Sequence, residues 1–296
     1  MVEFVNAKLN LGLDIIRKRE DGYHDLSTLF YPVGLYNGTP ENPEPFCDVL
    51  EINPTDALEN EYHFTGNRID CPLGKNLVVR ATVLFQEELK MRNGRNIQKY
   101  NISLEKHIPD GAGLGGGSAD ASFTLQLLNK IEGEPFNSEE LIAMAAKLGA
   151  DCPFFIINKP VIATGIGEKM TPVELNLDGY WAILVKPAIY ISTREAFSNI
   201  LPREPEVDIS EIIGYPIEEW ESRGLKNDFE RGIFANHPEL ASIKDHLKSL
   251  GAVYSAMSGS GSTIFGIFPD QETALKSIGS LRCRSSETSY ITLCKL

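Results

Sequence analysis

The segment PDGAGLGGGSADAS, Pro109 to Ser122, carries glycine at 111, 113, 115, 116 and 117. Residues without a Cβ lose the most conformational freedom on folding, so this density calls for a function of the backbone itself. Such a stretch adopts positive φ, lets a ligand approach the main chain, and turns successive N–H groups inward as an anion nest. Upstream, Asn101 to Ile108 alternates Ile102, Leu104 and Ile108 with polar neighbours, the period of a strand. Downstream, Ala119 to Ile131 places Ala121, Leu125, Leu128 and Ile131 at helical spacing. Strand, glycine loop and helix start follow one another, which sets the positive end of the helix dipole beside the loop and makes phosphate the fitting ligand.

Gly111, Gly113 and Gly116 spell GxGxxG, the dinucleotide fingerprint, but the helix is followed by a second helical pattern, Ser138 to Leu148, instead of a strand ending in an acid. Gly111 to Ser118 also nearly spells a P-loop and misses it because Gly117 stands where the lysine belongs. A flexible surface loop would mix glycine with serine rather than pack glycines between two periodic elements. What is left is a phosphate cradle of another kind, formed by Pro109, Asp110, Gly111, Ala112, Gly113, Leu114, Gly115, Gly116, Gly117, Ser118 and Ala119. Ser118, at a helix start, also reads as an N-cap.

With 296 residues and 42% hydrophobic content, the chain is long enough for a sizeable core and for two domains, split here as 1–158 and 159–296. No apolar run approaches the ~18 residues of a membrane span, and the start, MVEFVNAK, lacks a charged segment leading into an apolar one. Cys47, Cys71, Cys152, Cys283 and Cys294 are odd in number and form no CxxC pair, which indicates neither a disulfide framework nor a zinc site. A cytoplasmic protein with reduced thiols is the expectation. A formal net charge of −13 speaks against nucleic acid or a membrane as partner, since phosphate-backbone affinity comes from clustered Lys and Arg. A small anionic ligand then needs local neutralisation by backbone N–H groups, Mg²⁺ and a few lysines.

At the N-terminus, Val5, Ala7, Leu9, Leu11, Leu13 and Ile15 alternate with Asn6, Lys8, Asn10, Gly12 and Asp14, the pattern of a half-buried strand. Lys8 and Asn10 share its polar face, which reads equally as a solvated face, and Gly12 there hints at a close approach. Asp21 and Gly22 predict a hairpin turn, with Tyr23 and His24 just past it. Tyr36 to Pro54, rich in Pro, Asn and Glu, reads as a surface insertion without chemistry, followed by strand candidates at 48–52 and 62–65. Asn76 to Arg92 is an amphipathic helix with Leu77, Ala81, Leu84 and Glu88 on one stripe. Asp151 falls in a turn between the end of helix 138–148 and an apolar run. Beyond Gly179 the order strand, helices, strand, strand, helix, strand is that of a ferredoxin-like half. MSGSGSTIF, Met257 to Phe265, forms the hairpin between its two middle strands.

Taken together, AKLNLGLDI, DGYHDLSTLF, PDGAGLGGGSADA, GADCPFF and MSGSGSTIF resemble the ordered motifs of the GHMP kinases (galactose, homoserine, mevalonate and phosphomevalonate kinases), and the first two resemble the signature of one branch. The resemblance spans nearly the whole chain. It departs at Asn6, where the branch usually has Pro. What it implies is an α+β, two-lobed GHMP kinase fold: an N-terminal lobe with the glycine-rich phosphate loop, a ferredoxin-like C-terminal lobe, and the active site in the cleft between them. It implies ATP and Mg²⁺, and as acceptor a cytidine diphosphate-linked methylerythritol of the non-mevalonate route to isoprenoid precursors. By the same resemblance Lys8 and Asp151 are catalytic, and Asn10, Tyr23, His24 and Phe197 contact the acceptor. Gly165, Ile166 and Gly167 before Glu168 match a hairpin of that branch and read as structural.

Overall fold

The computed structural model describes residues 1–34, 36–39, 42–69, 71–94, 98–284 and 288–296. The strands are β1 (Val2–Val5), β2 (Ala7–Lys18), β3 (His24–Val33), β4 (Tyr36–Thr39), β5 (Asn42–Pro45), β6 (Asp48–Thr55), β7 (Glu61–Gly66), β8 (Lys99–Lys106), β9 (Val161–Gly165), β10 (Lys169–Pro172), β11 (Trp181–Pro187), β12 (Tyr254–Met257), β13 (Ile264–Phe268) and β14 (Thr288–Lys295). The helices are α1 (Leu77–Asn93), α2 (Gly116–Ile131), α3 (Ser138–Leu148), α4 (Cys152–Ile157), α5 (Thr193–Ser198), α6 (Ile209–Ile212), α7 (Phe229–Asn236), α8 (Pro238–Ser249) and α9 (Gln271–Arg284). Among the described residues no helix is long and apolar enough to cross a membrane.

Two compact units form, and they are interleaved in sequence. The first holds Met1–Ala7, Pro45–Asp110 and Gly115–Lys159; the second holds Lys8–Glu44, Gly111–Leu114 and Pro160–Leu296. The single cut after residue 158 read from the sequence differs from this division, because 8–44 and 111–114 join the second unit. Hydrophobic periodicity reports which face of an element is buried but not which partner buries it.

In the first unit the sheet runs β1-β6-β8-β7, and α1 to α4 supply its helical layer. Asn76 caps α1 by accepting from the N–H of Val78, and Gly94 ends it in the left-handed region. The buried stripe of α1 is Val78, Ala81, Thr82, Phe85 and Gln86, rotated from the one read from the sequence. Polar Thr82 and Gln86 are drawn inside because Thr82 bonds the Val78 carbonyl and Gln86 bonds Asn60 and the Gln98 carbonyl. Helix α3 starts on a full capping box between Asn137 and Glu140. The insertion expected at 36–54 holds only in part. Phe46, Asp48, Leu50 and Ile52 are buried, and Asp48 to Thr55 is the strand β6 pairing with β8.

Asn6, the departure from the branch pattern, exchanges two amide hydrogen bonds with Asn158 at 3.1 and 2.9 Å. Asn158 is the left-handed C-cap of α4. The pair ties the end of that helix to the entry of β2.

The second unit contains the sheet β10-β9-β3-β2 and the sheet β12-β13-β11-β14. In the latter, β13 lies antiparallel between β11 and β12, and β14 pairs with the other edge of β11. That is the split βαβ order expected of a ferredoxin-like half. Its core gathers Leu13 and Ile15 of β2 with Ile183, Phe229, Leu240, Leu247, Ile264 and Phe268.

Strand β2 corrects the half-buried reading, for every residue from Ala7 to Ile15 is buried, on both faces. Lys8 (3% exposed), Asn10 (2%) and Asp14 (5%) are therefore not on a solvated face. Their burial is possible because polar neighbours from β3 and from residues 226–228 and 258 satisfy them. Gly12, with φ +84°, makes room for Leu225, whose Cδ1 lies 2.5 Å from where a Cβ would be. The close approach hinted at by this glycine is an internal side chain.

Burial pushes the Asp14 carboxyl up to about 6, with Asp228 adding to the shift and Lys226 opposing it. A carboxyl whose pKa is higher folded than unfolded stabilises the fold when protonated, and that contribution disappears as pH rises through 6. A shift of this size corresponds to up to about 3 kcal/mol. Asp14→Asn is expected to be more stable than the parent at pH 8 by as much as that, with the difference closing below about pH 4, as urea unfolding at several pH values would show.

Candidate active site

The loop 109–119 is built from both units: Pro109, Asp110 and Gly115 onward belong to the first, Gly111 to Leu114 to the second. Gly115 is the N-cap of α2, in the left-handed region with φ +73°. Helix α2 therefore starts at Gly116, three residues before the first one read from the sequence, and Ser118 lies inside its first turn. The expectation that Ser118 is the N-cap is thus corrected, since Gly115 takes that place.

In the first unit, the start of α2 meets the turn that carries Asp151. Ser122 Oγ donates to the Ser118 carbonyl at 2.9 Å and to the Cys152 carbonyl at 2.7 Å. A Cβ on Gly149 would lie 3.3 Å from Cys152 Sγ and 4.0 Å from Ser118 Oγ. Asp151 is half-buried at the N-cap of α4, and the apolar run after it, Cys152 to Ile157, is this short helix. Two helix N-termini and one carboxylate thus come together around Ser118 and Asp151. That suits an anion beside a proton acceptor.

A cavity of about 320 Å³ opens in the same unit among Phe64, Asn67, Arg68, Cys71, Leu73 and Asn76. It adjoins the loop through Leu77, whose Cδ1 lies 3.8 Å from where a Gly117 Cβ would be. Asn67 Nδ2 donates to the His107 carbonyl, just upstream of the loop, at 2.7 Å. Sequence reading missed this cavity, because its walls come from a strand end, a turn and a helix cap that share no motif.

In the second unit, Gly111 to Leu114 are held by two partners. The Lys8 N–H of β2 donates to the Leu114 carbonyl at 3.0 Å. On the other side sits the hairpin between β12 and β13, as the sequence led one to expect for MSGSGSTIF. Ser258 Oγ donates to the Gly113 carbonyl at 2.8 Å, and the Thr263 N–H donates to the Ala112 carbonyl at 3.3 Å. Ser258 Oγ also accepts from the Asn10 N–H at 3.2 Å. Strand β2, the loop segment and the hairpin are joined at one serine.

Lys8 Nζ donates to Asn10 Oδ1 and lies 5.0 Å from the centroid of the Phe30 ring. Asn10 Nδ2 donates to Thr28 Oγ1 at 2.8 Å, and that hydroxyl donates to the Gly12 carbonyl at 2.6 Å. The ammonium is thus held by the Asn10 amide, itself anchored on Thr28, and by an aromatic face. Both fix its position.

His24 opens β3 just after the Asp21–Gly22 turn and is half-buried, whereas Tyr23 is 60% exposed. The His24 ring stacks on Phe197 at 4.8 Å and 24°, and Phe197 meets Phe229 edge-on at 4.9 Å. Phe197 is partly buried at the border of the core, with one face given to His24. Burial, with Lys18 nearby, holds the His24 imidazolium below its usual range. Neutral His24 presents a donor and an acceptor. Among the described residues no group of three or more His, Cys, Asp or Glu side chains is placed to hold a metal ion.

The geometry separates the glycines. Gly113 has φ +77° and a Cβ there would stand 2.0 Å from the Ser258 carbonyl oxygen, while a Cβ on Gly117 would meet nothing closer than 3.8 Å. Left-handed backbone alone costs an L-residue roughly 1–2 kcal/mol. Gly113→Ala is expected to lose at least about 2 kcal/mol. Gly117→Ala, in helical backbone, is expected to be neutral or to gain up to about 1 kcal/mol. Thermal unfolding of the two variants distinguishes these roles.

Comparison with known proteins identifies the family of the chain. Residues 76–159 match the GHMP kinases N terminal domain and residues 217–283 the GHMP kinases C terminal domain. The chain is 46% identical over 278 residues to the 4-diphosphocytidyl-2-C-methyl-D-erythritol kinase of Bacteroides fragilis, covering 93% of this chain and 95% of that one. It is 47% identical over 268 residues to the kinase of the same name from Parabacteroides distasonis, with 90% and 92% covered. A crystal structure of a 4-(cytidine 5'-diphospho)-2C-methyl-D-erythritol kinase superposes with a TM-score of 0.77 at 31% identity over the full length of both chains. With the α+β fold, the glycine loop at a helix start and both domains in place, this chain belongs to the GHMP kinase family.

Proposed function

We propose that this chain transfers the γ-phosphoryl group of ATP to the 2-hydroxyl of 4-diphosphocytidyl-2-C-methyl-D-erythritol, giving the 2-phosphate and ADP. The observation that carries this reading is likeness to kinases of that name over nine-tenths or more of both chains, at an identity far above that of a shared fold alone.

The loop 109–119 and the first N–H groups of α2 hold the ATP phosphates, and the cavity around Phe64, Leu73 and Asn76 takes the nucleoside. Mg²⁺, held chiefly by the triphosphate oxygens and its own waters, would supply neutralisation of phosphate charge. Asn10, Tyr23, His24 and Phe197 receive the acceptor. The main-chain and ring groups of His24 read the cytosine edge, and the aromatic rings cover its face. The expected compartment is the cytoplasm, where ATP is available and the free cysteines Cys47, Cys71, Cys152 and Cys294 stay reduced.

In the transfer, the acceptor oxygen forms a bond to the γ-phosphorus while the bond from that phosphorus to the β–γ bridging oxygen breaks. The acceptor proton passes to the Asp151 carboxylate. The transition state is loose in most analyses, so positioning and charge stabilisation dominate. Lys8, fixed by Asn10 and Phe30, supplies positive charge to the moving group.

Removing a general base typically lowers the rate by 10²–10⁴. Asp151→Asn and Lys8→Ala are each expected to lose at least about a hundredfold in kcat while still binding ATP. Acting as a unit, they should leave a double variant far less impaired than the product of the singles. ADP release with ATP, Mg²⁺ and the cytidine substrate is the measurement. A folded Asp151→Asn enzyme keeping more than about a tenth of kcat removes Asp151 as base, and turnover only with mevalonate or homoserine assigns the chain to another member of the family.

Stacking on a base is typically worth about 1–3 kcal/mol by alanine substitution. Phe197→Ala is therefore expected to raise KM for the cytidine substrate roughly tenfold with little change for ATP. Equal loss for both substrates would make Phe197 a core residue only.

A further inference from the structure

The reading of the chain as a kinase makes no use of a buried charge cluster beneath the glycine loop. Lys106, the last residue of β8, directs Nζ to Asp120 Oδ2 on α2 at 2.7 Å and to Asp48 at the start of β6. Their side chains are 5%, 4% and 0% exposed respectively. The other oxygen of Asp48 accepts the N–H groups of His107 at 2.6 Å and Ile108 at 2.8 Å. Asp120 Oδ1 is buried without a hydrogen-bond partner. All of these residues belong to the first unit.

Stability alone is a poor reason for such a cluster. Removing two carboxylates and an ammonium from water is so unfavourable that apolar residues of similar volume often serve as well or better. Its location is more telling. The residues it grips are those on either side of the loop: 106–108 where the chain enters, and the second turn of α2 where it leaves. Lys106 Nζ lies 3.3 Å from where a Cβ on Gly116 would be, and Gly116 itself packs on Ile108, whose Cγ2 is 2.9 Å from that position. Ends pulled together in this way leave the nine residues 107–115 little freedom in how they span the gap.

Burial would lower Lys106, but Asp120 and Asp48 outweigh it and keep the ammonium charged. Burial and the neighbouring Asp48 push the Asp120 carboxyl above the usual carboxylate range, and the Lys106 ammonium opposes that shift.

We propose that Asp48, Lys106 and Asp120 are positioning residues that clamp the two ends of the glycine loop, and that the clamp aims the first N–H groups of α2 at the phosphates of ATP. This rests on the reading of loop 109–119 as the phosphate site. None of the three lines the cavity assigned to the nucleoside.

The test is steady-state kinetics on folded variants, with KM for ATP and for the cytidine substrate measured separately. Asp120→Ala is expected to raise KM for ATP tenfold or more and to leave KM for the cytidine substrate within twofold. Asp120→Asn, which keeps an acceptor within reach of Lys106, should show at most a third of that rise. Where the alanine variant does not fold, Asp48→Asn/Lys106→Met/Asp120→Leu, which replaces the whole cluster by neutral side chains of similar volume and keeps an acceptor for the His107 and Ile108 N–H groups, takes its place and is expected to fold with the same tenfold rise. A folded variant of either kind with KM for ATP within twofold of the parent, or with both KM values raised equally, overturns the clamp. Gly117→Val contacts no member of the cluster and tests the loop itself. If it raises KM for ATP while the cluster variants do not, the clamp alone fails; if neither does, the phosphate site fails and the clamp with it.

Discussion

At Gly113 the backbone runs so close to the Ser258 carbonyl that a single added carbon would stand 2.0 Å from the oxygen. Much of the second unit is arranged to keep that approach. Ser258 bonds both Gly113 and the main chain of Asn10, and Asn227 donates to the carbonyls of Met257 at 2.7 Å and Gly259 at 2.8 Å. Residues flanking Asn227 are in turn bonded to β2, since the Leu13 N–H donates to the Lys226 carbonyl and the Asp228 N–H to the Leu13 carbonyl. One close contact between two main chains thus recruits a strand, a hairpin and a connecting segment.

The same network explains how β2 can be buried with a lysine, an asparagine and an aspartate on one face. Buried polar groups are tolerated when their hydrogen bonds are made, and a satisfied network rigidifies its surroundings. Asn10 bonds Thr28 and Ser258 and accepts from the Lys8 ammonium, and both residues gain fixed positions. Asp14 is less well matched, with Lys226 at 3.7 Å, and its raised pKa records the difference.

A chain with net charge −13 that handles ATP has to neutralise phosphate locally. Several of its cations are committed elsewhere. Arg17 and Arg19 pair with Asp25, Arg19 also with Asp21, and Lys106 with Asp48 and Asp120. Main-chain N–H groups at the starts of α2 and α4 are a second source of positive charge. Helix ends present such groups with the positive end of the helix dipole.

The glycine loop between a strand and a helix, the hairpin at Asp21–Gly22, the helix Ser138–Leu148 and the ferredoxin-like order of the last elements were all readable from the residues. Each depends on local spacing, turn chemistry or capping, which the sequence carries directly. The ordered motifs were equally readable, and with them the family. Burial of the Lys8 face, the rotated stripe of α1 and the role of Asp48 were not. They depend on which distant segment covers a surface: Thr28 and Ser258 over β2, Asn60 and Gln98 beside Gln86, His107 and Ile108 over Asp48. Periodicity shows that a face differs from its opposite. Only the tertiary structure decides whether that face meets water or a hydrogen-bonding partner, because the partners are brought there by parts of the chain 12 to 248 residues away.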